Sequence, residues 1–178
     1  MTRGPSTPLD AGPPEVPAEE AGDARVAVHI GSDHAGFDLK AFLVGRLRAA
    51  GHEVTDHGAF VHDPGDDYPP FCVAVGEATV ADPGAALGVV IGGSGNGEQI
   101  AANKVRGVRA VLAWNLDVAR LGRSHNDANV IAIGARQHTP EEAWALVEAF
   151  VGEAFSGDER HRRRIDLLTA YERWPGHG

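Results

Sequence analysis

Short apolar runs alternate with longer stretches of helical spacing along most of the chain. The runs have the β-branched or alternating composition of strands and span residues 25–30, 52–57, 87–91, 108–113 and 130–133. Helices are predicted between and after them, at residues 37–50, 71–81, 98–104, 116–121, 141–155 and 158–172. Since strands and helices alternate through short connections, the pattern predicts a five-stranded parallel sheet with helices on both faces.

Glycine, proline and polar capping residues mark the ends of the predicted helices and the start of the domain. Gly51 follows the first helix as a C-terminal glycine would, and Thr139, Pro140 and Glu142 form a helix start of the capping-box type. Residues 1–24 are rich in proline, glycine, alanine and acid, so we expect a disordered leader there. Residues 25–174 then form a single domain that includes the C-terminal helix at 158–172.

A glycine-rich turn links the third strand to its helix and is the centre of the sequence. Four glycines lie within six residues, at Gly92, Gly93, Gly95 and Gly97. Glycine lets the backbone approach a ligand closely, and a following helix start points free N–H groups at an anion. Two familiar phosphate loops nevertheless fail, because Glu98 stands where a Walker A loop has lysine and where a dinucleotide loop has its last glycine.

Glu98 has two interpretations that the residue types leave open. Asn96 and Gln99 match the spacing of a capping box, and an acid in the first turn suits the helix dipole. Alternatively, Glu98 is a catalytic carboxylate aimed into the loop. Burial would raise the pKa of Glu98 and the helix start would lower it, and the sequence does not decide between them.

Other candidate residues follow the predicted strands or end a helix. Asp33 and His34 come after the first strand, where they either cap the next helix or contact a sugar and move a proton. Ser94 either closes the glycine turn or holds a substrate oxygen. His125 and Asn126 end a helix, where a histidine either suits the dipole or acts as acid or base.

A basic cluster spans residues 160–164 of an otherwise acidic chain. Arg160 and Arg164 are four apart and share a helix face, so their guanidinium groups could bind one phosphate. The alternative is a solvated helix face on which the arginines pair with neighbouring acids.

The composition of the chain argues against several classes of function. The 178 residues carry a net charge of −9, which argues against broad binding to nucleic acid or to an acidic membrane. The single cysteine, Cys72, excludes an intrachain disulfide and a cysteine-rich metal site, and no histidine pair has metal-binding helical spacing. No apolar run reaches the roughly 18 residues of a membrane span. We therefore expect a cytoplasmic protein.

Several motifs, in order along the chain, resemble the type B ribose-5-phosphate isomerases, a family that includes galactose-6-phosphate isomerase subunits. They are Gly31-Ser-Asp-His-Ala-Gly36, Asp67-Tyr-Pro69, residues 92–104, His125-Asn126 and Gly134-x-Arg136, and the resemblance covers about residues 25–173. It implies a Rossmann-like, three-layer α/β/α sandwich with an extra C-terminal helix. It further implies a homodimer, sometimes a tetramer, with sites between subunits and no metal or organic cofactor.

The reaction implied by the resemblance interconverts D-ribose 5-phosphate and D-ribulose 5-phosphate in the pentose phosphate pathway. In it, Asp33 and His125 would assist ring opening, while His34 would contact the sugar or the phosphate. The loop would wrap the enediolate and bind substrate through Gly93, Ser94, Gly95, Asn96 and Gly97. Asn126 would hold a substrate oxygen, and the phosphate would go to Arg136, Arg160 and Arg164.

One departure from the family pattern concerns the base. Many members have a cysteine at the position of Gly92, whereas a branch known from actinobacteria has a glutamate within the loop, as Glu98 is here. The resemblance therefore favours Glu98 as the base that moves a proton between C1 and C2. Two alternatives stay open, namely the same chemistry on a tetrose or hexose phosphate, and a non-catalytic module that binds sugar phosphates.

Overall fold

A computed structural model describes residues 25–84 and 86–173. Within these ranges the strands are β1 (Ala27–Ser32), β2 (Glu53–Asp56), β3 (Ala86–Gly92), β4 (Ala110–Leu112) and β5 (Val130–Gly134). The helices are α1 (Phe37–Ala49), α2 (Tyr68–Ala81), α3 (Asn96–Ala102), α4 (Leu116–Asn126), α5 (Pro140–Gly152) and α6 (Glu159–Glu172), and a single 3-10 turn at His34–Gly36 precedes α1. The leader predicted for residues 1–24 lies outside the described residues.

The five described strands form one parallel sheet in the order β2-β1-β3-β5-β4. Strand β3 is central and buried along its whole length. Ser32 of β1 pairs with Ile91 of β3, and Gly92 pairs with Gly134 of β5. The carboxyl ends of these three strands are therefore level, and the turns that follow them meet at one edge of the sheet.

Helices cover both faces of the sheet, as the alternating pattern predicts. Successive side chains of β3 point to opposite faces of the sheet. Val89 and Ile91 pack with α1, α4 and α5 on one face, and Val90 packs with α2 and α3 on the other. Leu43, Leu47 and Phe150 are fully buried in the first layer. The expected three-layer α/β/α sandwich is thus confirmed.

Several helix boundaries differ from the prediction: α3 begins and ends two residues early, α4 extends to Asn126, and α2 and α5 also change. Helix α2 begins at Tyr68 and not at residue 71, because Pro69 and Pro70 fall in its first turn, where the missing N–H groups cost nothing. Helix α5 ends at Gly152, three residues early, and Glu153 already has extended backbone angles. The capping box of Thr139 and Glu142 forms as predicted.

Helix α6 packs weakly against its own chain. Among its residues His161 alone is buried, at 4% exposure. Leu167, Leu168 and Tyr171 are 56–62% exposed, which leaves a row of large apolar side chains facing away from the core. No helix within the described ranges combines the length and the apolar character needed to cross a membrane.

Candidate active site

The candidate site lies at the carboxyl ends of β1 and β3, where the strand order switches direction. Chain connections leave β1 toward β2 on one side and β3 toward β4 and β5 on the other. The turns after β1 and β3 diverge there and leave a crevice, the usual ligand position in an open parallel sheet. Asp33 and His34 follow β1, and the glycine loop from Gly92 to Glu98 follows β3.

The glycine loop is packed so closely that side chains do not fit at Gly92, Gly95 or Gly97. Gly95 has a φ of +82°, and a Cβ there would lie 2.5 Å from Leu112 Cδ1 and 3.1 Å from the carbonyl carbon of Ile133. A Cβ on Gly97 would lie 2.7 Å from the ring of Tyr68. These contacts hold the loop backbone between α2 and β5.

The loop leaves backbone donors at the start of α3 open to a ligand. Gly95 is the N-cap of α3 and supplies no side chain to its first turn. In the part of the chain that the structure describes, the amide N–H groups of Ser94 and Gly97 have no acceptor. A developing oxyanion would find preorganised donors there.

Glu98 turns its side chain back under this loop. Glu98 is 4% exposed, and a Cβ placed on Gly92 would overlap its carboxyl group. Burial raises the pKa of Glu98 and the Asp33 carboxylate raises it further, while N–H groups of Glu98 and Gly95 oppose the shift. Burial therefore outweighs the helix start, which decides the competition that the sequence left open.

The capping-box interpretation of Asn96 and Gln99 is wrong. The side chain of Gln99 donates to the carbonyl oxygen of Ala110 at 3.2 Å, so it does not reach back to the start of α3. Asn96 is the first residue of the helix, and its side chain lies 3.3 Å from Ser94 Oγ. The side-chain amide of Gln99, which the local pattern assigned to a cap, thus binds β4 instead.

Ser94 and Asn96 form the exposed flank of the loop. The Asn96 N–H lies 3.4 Å from Ser94 Oγ, so the turn role expected of this hydroxyl is present. Both residues line a cavity of about 540 Å³ together with Trp114 and His138. Their side chains are accessible to a ligand at the carboxyl edge of the sheet.

Asp33 is both a cap and a site residue. Its Oδ1 accepts hydrogen bonds from the N–H groups of Ala35 at 3.0 Å and Gly36 at 3.4 Å, so the capping role is confirmed. The residue is 7% exposed, and its carboxylate raises the pKa of Glu98. Two buried carboxyl groups, one after β1 and one after β3, therefore lie close enough for the charge of one to affect the other.

His34 is held by Asp66, a residue that sequence reasoning missed. Asp66 Oδ1 accepts a hydrogen bond from the backbone N–H of His34 at 2.9 Å and lies 2.7 Å from its Nδ1. This bond raises the pKa of His34, against opposition from burial and from Arg136. The signal in the sequence was weak, since Asp66 lies among several acids of the loop before Asp67-Tyr-Pro69.

Arg136 completes the cluster at the carboxyl edge. Its backbone N–H donates to the carbonyl oxygen of Gly93 at 3.1 Å, and a Cβ on Gly93 would lie 3.2 Å from its guanidinium group. The side chain is exposed and makes no ion pair with the described residues. A cation is therefore available beside the glycine loop.

Cys72 lies beneath the cluster and is not a nucleophile. It is fully buried in α2, and burial, Glu98 and Asp33 together raise the pKa of its thiol to about 12. A thiol with so high a pKa stays protonated and unreactive at neutral pH. The Asp67-Tyr-Pro69 motif pointed to this helix, but no role for Tyr68 or Cys72 was readable from spacing alone.

Donor atoms of Asp33, His34 and Asp66 lie within 4.8 Å of one another and could in principle surround a cation. Each of the three is already engaged, since Asp66 binds His34 and Asp33 caps the 3-10 turn. The set is therefore a hydrogen-bonded cluster, and we assign no metal to it.

The structure does not bring His125, Asn126, Arg160 and Arg164 to this crevice. Helix α4 starts at the carboxyl end of β4 and runs back for 11 residues, a length of about 16 Å. His125 and Asn126 therefore lie at the amino-terminal edge of the sheet. The ring of His125 stacks on that of His161 with centroids 4.2 Å apart, and burial, His125 and Arg160 lower the pKa of His161.

Arg160 and Arg164 belong to this second cluster and are exposed on α6. Arg160 Nε lies 3.7 Å from Asp158, a loose pair of the kind expected on a solvated helix face. Arg164 makes no ion pair with the described residues. The candidate residues thus form two clusters, one at each edge of the sheet.

Comparisons with known proteins agree on one family. A family model described as Ribose/Galactose Isomerase matches residues 28–168. The chain is 56% identical over 146 residues, 82% of its length, to proteins named ribose-5-phosphate isomerase B from Mycolicibacterium paratuberculosis and Mycobacterium tuberculosis, covering 91% and 90% of them.

A solved structure is also similar to this fold. It is ribose-5-phosphate isomerase B from Mycoplasma genitalium with bound ribulose-5-phosphate, at a TM-score of 0.81 and 37% identity. The alignment covers 84% of this chain and 97% of that one.

Proposed function

This chain belongs to the ribose/galactose isomerase family, and we propose that it interconverts D-ribose 5-phosphate and D-ribulose 5-phosphate with Glu98 as the base. The observation that carries the proposal is the position of the Glu98 carboxyl group. It is buried against Gly92, under a loop with free N–H groups, at the switch point of the sheet. The proposal includes a cytoplasmic location and a place in the pentose phosphate pathway.

Ring opening precedes the transfer of hydrogen. Asp33 is the acid or base that this chain supplies, since it follows β1 at the crevice with Oδ1 anchored by two N–H groups and Oδ2 not bound by them. It works with His125 of a second subunit to move a proton between the ring oxygen and the anomeric hydroxyl. The sugar then presents a free aldehyde at C1.

Isomerisation moves one proton between neighbouring carbons. Ionised Glu98 removes the C2 proton, the C–H electron pair forms the C1–C2 double bond, and the aldehyde oxygen takes up negative charge as an enediolate. Protonated Glu98 then returns the proton to C1, while the proton on the C2 hydroxyl moves to the C1 oxygen. A carboxyl group with a raised pKa suits both halves of this exchange.

The glycine loop stabilises the charge of the intermediate. The N–H groups of Ser94 and Gly97 have no acceptor among the described residues and belong to the same loop as Glu98, so we assign them to the oxygens of the two reacting carbons. Donors fixed by backbone packing need no rearrangement as charge develops. The Ser94 hydroxyl, Asn96 and Asn126 of a second subunit hold the remaining sugar oxygens.

Phosphate binds at the opposite end of the substrate from Glu98. His34 and Arg136 supply cations from one chain, and Arg160 and Arg164 supply them from a second chain. A guanidinium group makes paired hydrogen bonds to phosphate oxygens, which suits this assignment. The negative charge of the whole chain is therefore no obstacle to an anionic substrate.

A homodimer is part of the proposal. In one chain α4 separates the two clusters of candidate residues by about its own length, too far for one pentose phosphate to reach both. Helix α6 carries Arg160 and Arg164 and also the exposed row of Leu167, Leu168 and Tyr171. Packing this row on a second subunit would bury it and deliver the arginines to the neighbour's crevice.

The test is conversion of ribose 5-phosphate by purified protein with EDTA present. We expect conversion by the wild type, and we expect Glu98→Gln to lower kcat by about 10²–10⁴-fold because it keeps shape but cannot accept the proton. Glu77→Gln is the matched control, since Glu77 is exposed on α2 away from the crevice. Its kinetics should equal those of the wild type.

Near-wild-type turnover by Glu98→Gln would contradict the assignment of the base. Comparing tetrose, pentose and hexose phosphates tests the chain length of the substrate, and a clear preference for another sugar would overturn the pentose assignment. Tight binding of ribose 5-phosphate without conversion would instead favour a non-catalytic module.

A further inference from the structure

Asp66 belongs to the loop between β2 and α2, and a turn presents its side chain to the crevice. The N–H of Asp66 donates to the carbonyl oxygen of Asp63 at 3.0 Å, and Asp63 Oδ1 accepts from the N–H of Gly65 at 2.9 Å. These two hydrogen bonds hold the turn that precedes Asp67. The side chain of Asp66 is 12% exposed and lies against His34.

One oxygen of Asp66, Oδ1, binds both the backbone N–H and the ring of His34. The distances are 2.9 Å from the backbone N–H and 2.7 Å from Nδ1. An ionised carboxylate only accepts hydrogen bonds, so Nδ1 must carry a proton. Nε2 is then the ring nitrogen left for a ligand, and the ring cannot rotate without breaking the bond to Asp66.

Three charged side chains and one further imidazole ring surround His34. Asp33 Oδ2 lies 4.0 Å from Nδ1, Asp66 lies at 2.7 Å, and Arg136 approaches from the turn after β5. His62 contacts the ring edge-on with centroids 6.4 Å apart. Arg136 alone would repel a charged histidine, so a carboxylate partner is what permits two cations to lie side by side at the loop.

We propose, on the basis of the function proposed above, that Asp66 is a positioning residue that fixes His34 as a cationic Nε2–H donor beside Arg136 for the substrate phosphate. A phosphate dianion requires donors of this charge and direction, and a bond to a charged group is stronger than one to a neutral imidazole. Asp66 acts through His34 and does not touch the reacting carbons.

The second oxygen of Asp66 argues against a purely structural role. Asp66 Oδ2 is buried and has no donor within the described ranges. A buried acceptor without a partner lowers stability, and such a group is retained where the charge has another use. Here the charge serves His34 through Oδ1.

The experiment compares Asp66→Asn and Asp66→Ala with Asp63→Asn. Asparagine keeps an oxygen acceptor for His34 but removes the charge, whereas alanine removes both. We expect Asp66→Asn to raise KM for ribose 5-phosphate by about tenfold with kcat within about twofold, and Asp66→Ala to raise KM at least as much. The Ki of inorganic phosphate as a competitive inhibitor should rise by the same factor. Asp63→Asn, from the same loop, should change neither constant.

A double-mutant cycle and NMR separate positioning from general loop damage. If Asp66 acts through His34, Asp66→Asn should have no further effect on KM in a His34→Gln background. Ring ¹⁵N shifts of His34 should show both nitrogens protonated in the wild type at neutral pH and lose that signature in Asp66→Asn. Additive effects on KM, a fall confined to kcat, or an unchanged ring signature would each overturn the proposal.

The NMR measurement needs no turnover, so it stands apart from the proposed function. Failure of the wild type to convert any sugar phosphate would overturn the isomerase assignment while leaving the Asp66–His34 pair open to direct test. Conversion by the wild type together with an unchanged KM in Asp66→Asn would overturn the role of Asp66 alone.

Discussion

At the residue scale, the position of the Glu98 carboxyl group depends on the absence of a side chain at Gly92. The Glu98 carboxyl group fills the space that any side chain at position 92 would need. The loop can therefore hold a functional group at position 92 or at position 98, but not both in the same place. The missing side chain of Gly92 is thus a condition for the buried carboxyl group of Glu98.

Substitution at Gly92 tests this competition. We expect Gly92→Ala to displace the Glu98 carboxyl group and to lower kcat by about 10²-fold or more, since a displaced base no longer reaches the C2 proton. Steady-state kinetics with ribose 5-phosphate measure the effect. Gly45→Ala is the control, because Gly45 lies on the surface of α1 with nothing near the added methyl group, and turnover should not change.

Glu98 also links stability to pH. Burial raises its folded-state pKa above the ordinary 4.5, so its contribution to stability is present below the pKa of the unfolded chain and is lost as pH rises through the folded-state pKa. We expect Glu98→Gln to have a higher Tm than the wild type at about pH 8, and the difference to shrink toward about pH 4.

Thermal unfolding across that pH range measures this dependence. Glu77→Gln should track the wild type, since Glu77 is exposed. Equal Tm values for Glu98→Gln and the wild type at the alkaline end would contradict a destabilising charge at Glu98.

At the scale of elements, the first turns of α5 and α3 differ in how their backbone N–H groups are capped. Helix α5 closes its first turn with Thr139 and Glu142, each bonding the backbone of the other. Helix α3 begins at Asn96 after the N-cap Gly95, which supplies no side-chain cap, and the N–H of Gly97 in its first turn has no acceptor among the described residues. The start of α5 contributes stability, whereas the start of α3 lacks that contribution and, in the proposed function, binds an anion.

Removing the cap of α5 should therefore affect stability alone. We expect Thr139→Ala to lower the free energy of unfolding by about 1 kcal/mol, as measured by urea denaturation, with kcat/KM unchanged. Thr139→Ser keeps the hydroxyl and should stay close to the wild type. A loss of activity without a loss of stability would mean that this turn takes part in the site.

At the scale of the whole molecule, the proposed function requires two clusters at opposite edges of the sheet to act on one substrate. Glu98, Asp33 and Arg136 lie at the carboxyl edge, and His125 lies at the amino edge with the arginines of α6. The proposed two-fold dimer, with the amino-edge cluster of one chain over the crevice of the other, would bring the two clusters together.

Mixing two inactive variants tests a shared site. Glu98→Gln and the double variant Arg160→Ala/Arg164→Ala should each be nearly inactive as homodimers. In a heterodimer one site carries both defects and the other carries neither, so random mixing should restore about a quarter of the wild-type activity. No recovery in verified heterodimers, or activity in a stable monomer, would contradict sharing.

Local patterns in the sequence were enough to predict the elements and the loop. Alternation and helical spacing identified the strands and α-helices that the structure describes, and the glycines at 92–97 marked the turn at the candidate site. These features depend on neighbours a few residues apart, and the same spacing favours the same backbone in any compact fold. Residues such as Asp33 and Glu98 were found because they adjoin predicted strand ends.

Only the tertiary structure decided what those residues can do. Asp66 meets His34 across 32 positions of sequence, Gln99 is drawn from its predicted cap to β4, and burial fixes the direction of the pKa shift of Glu98. The separation of His125 from the glycine loop follows from the path of α4 across the sheet. Burial, charge and distance belong to pairs of residues that folding brings together, and no local pattern contains them.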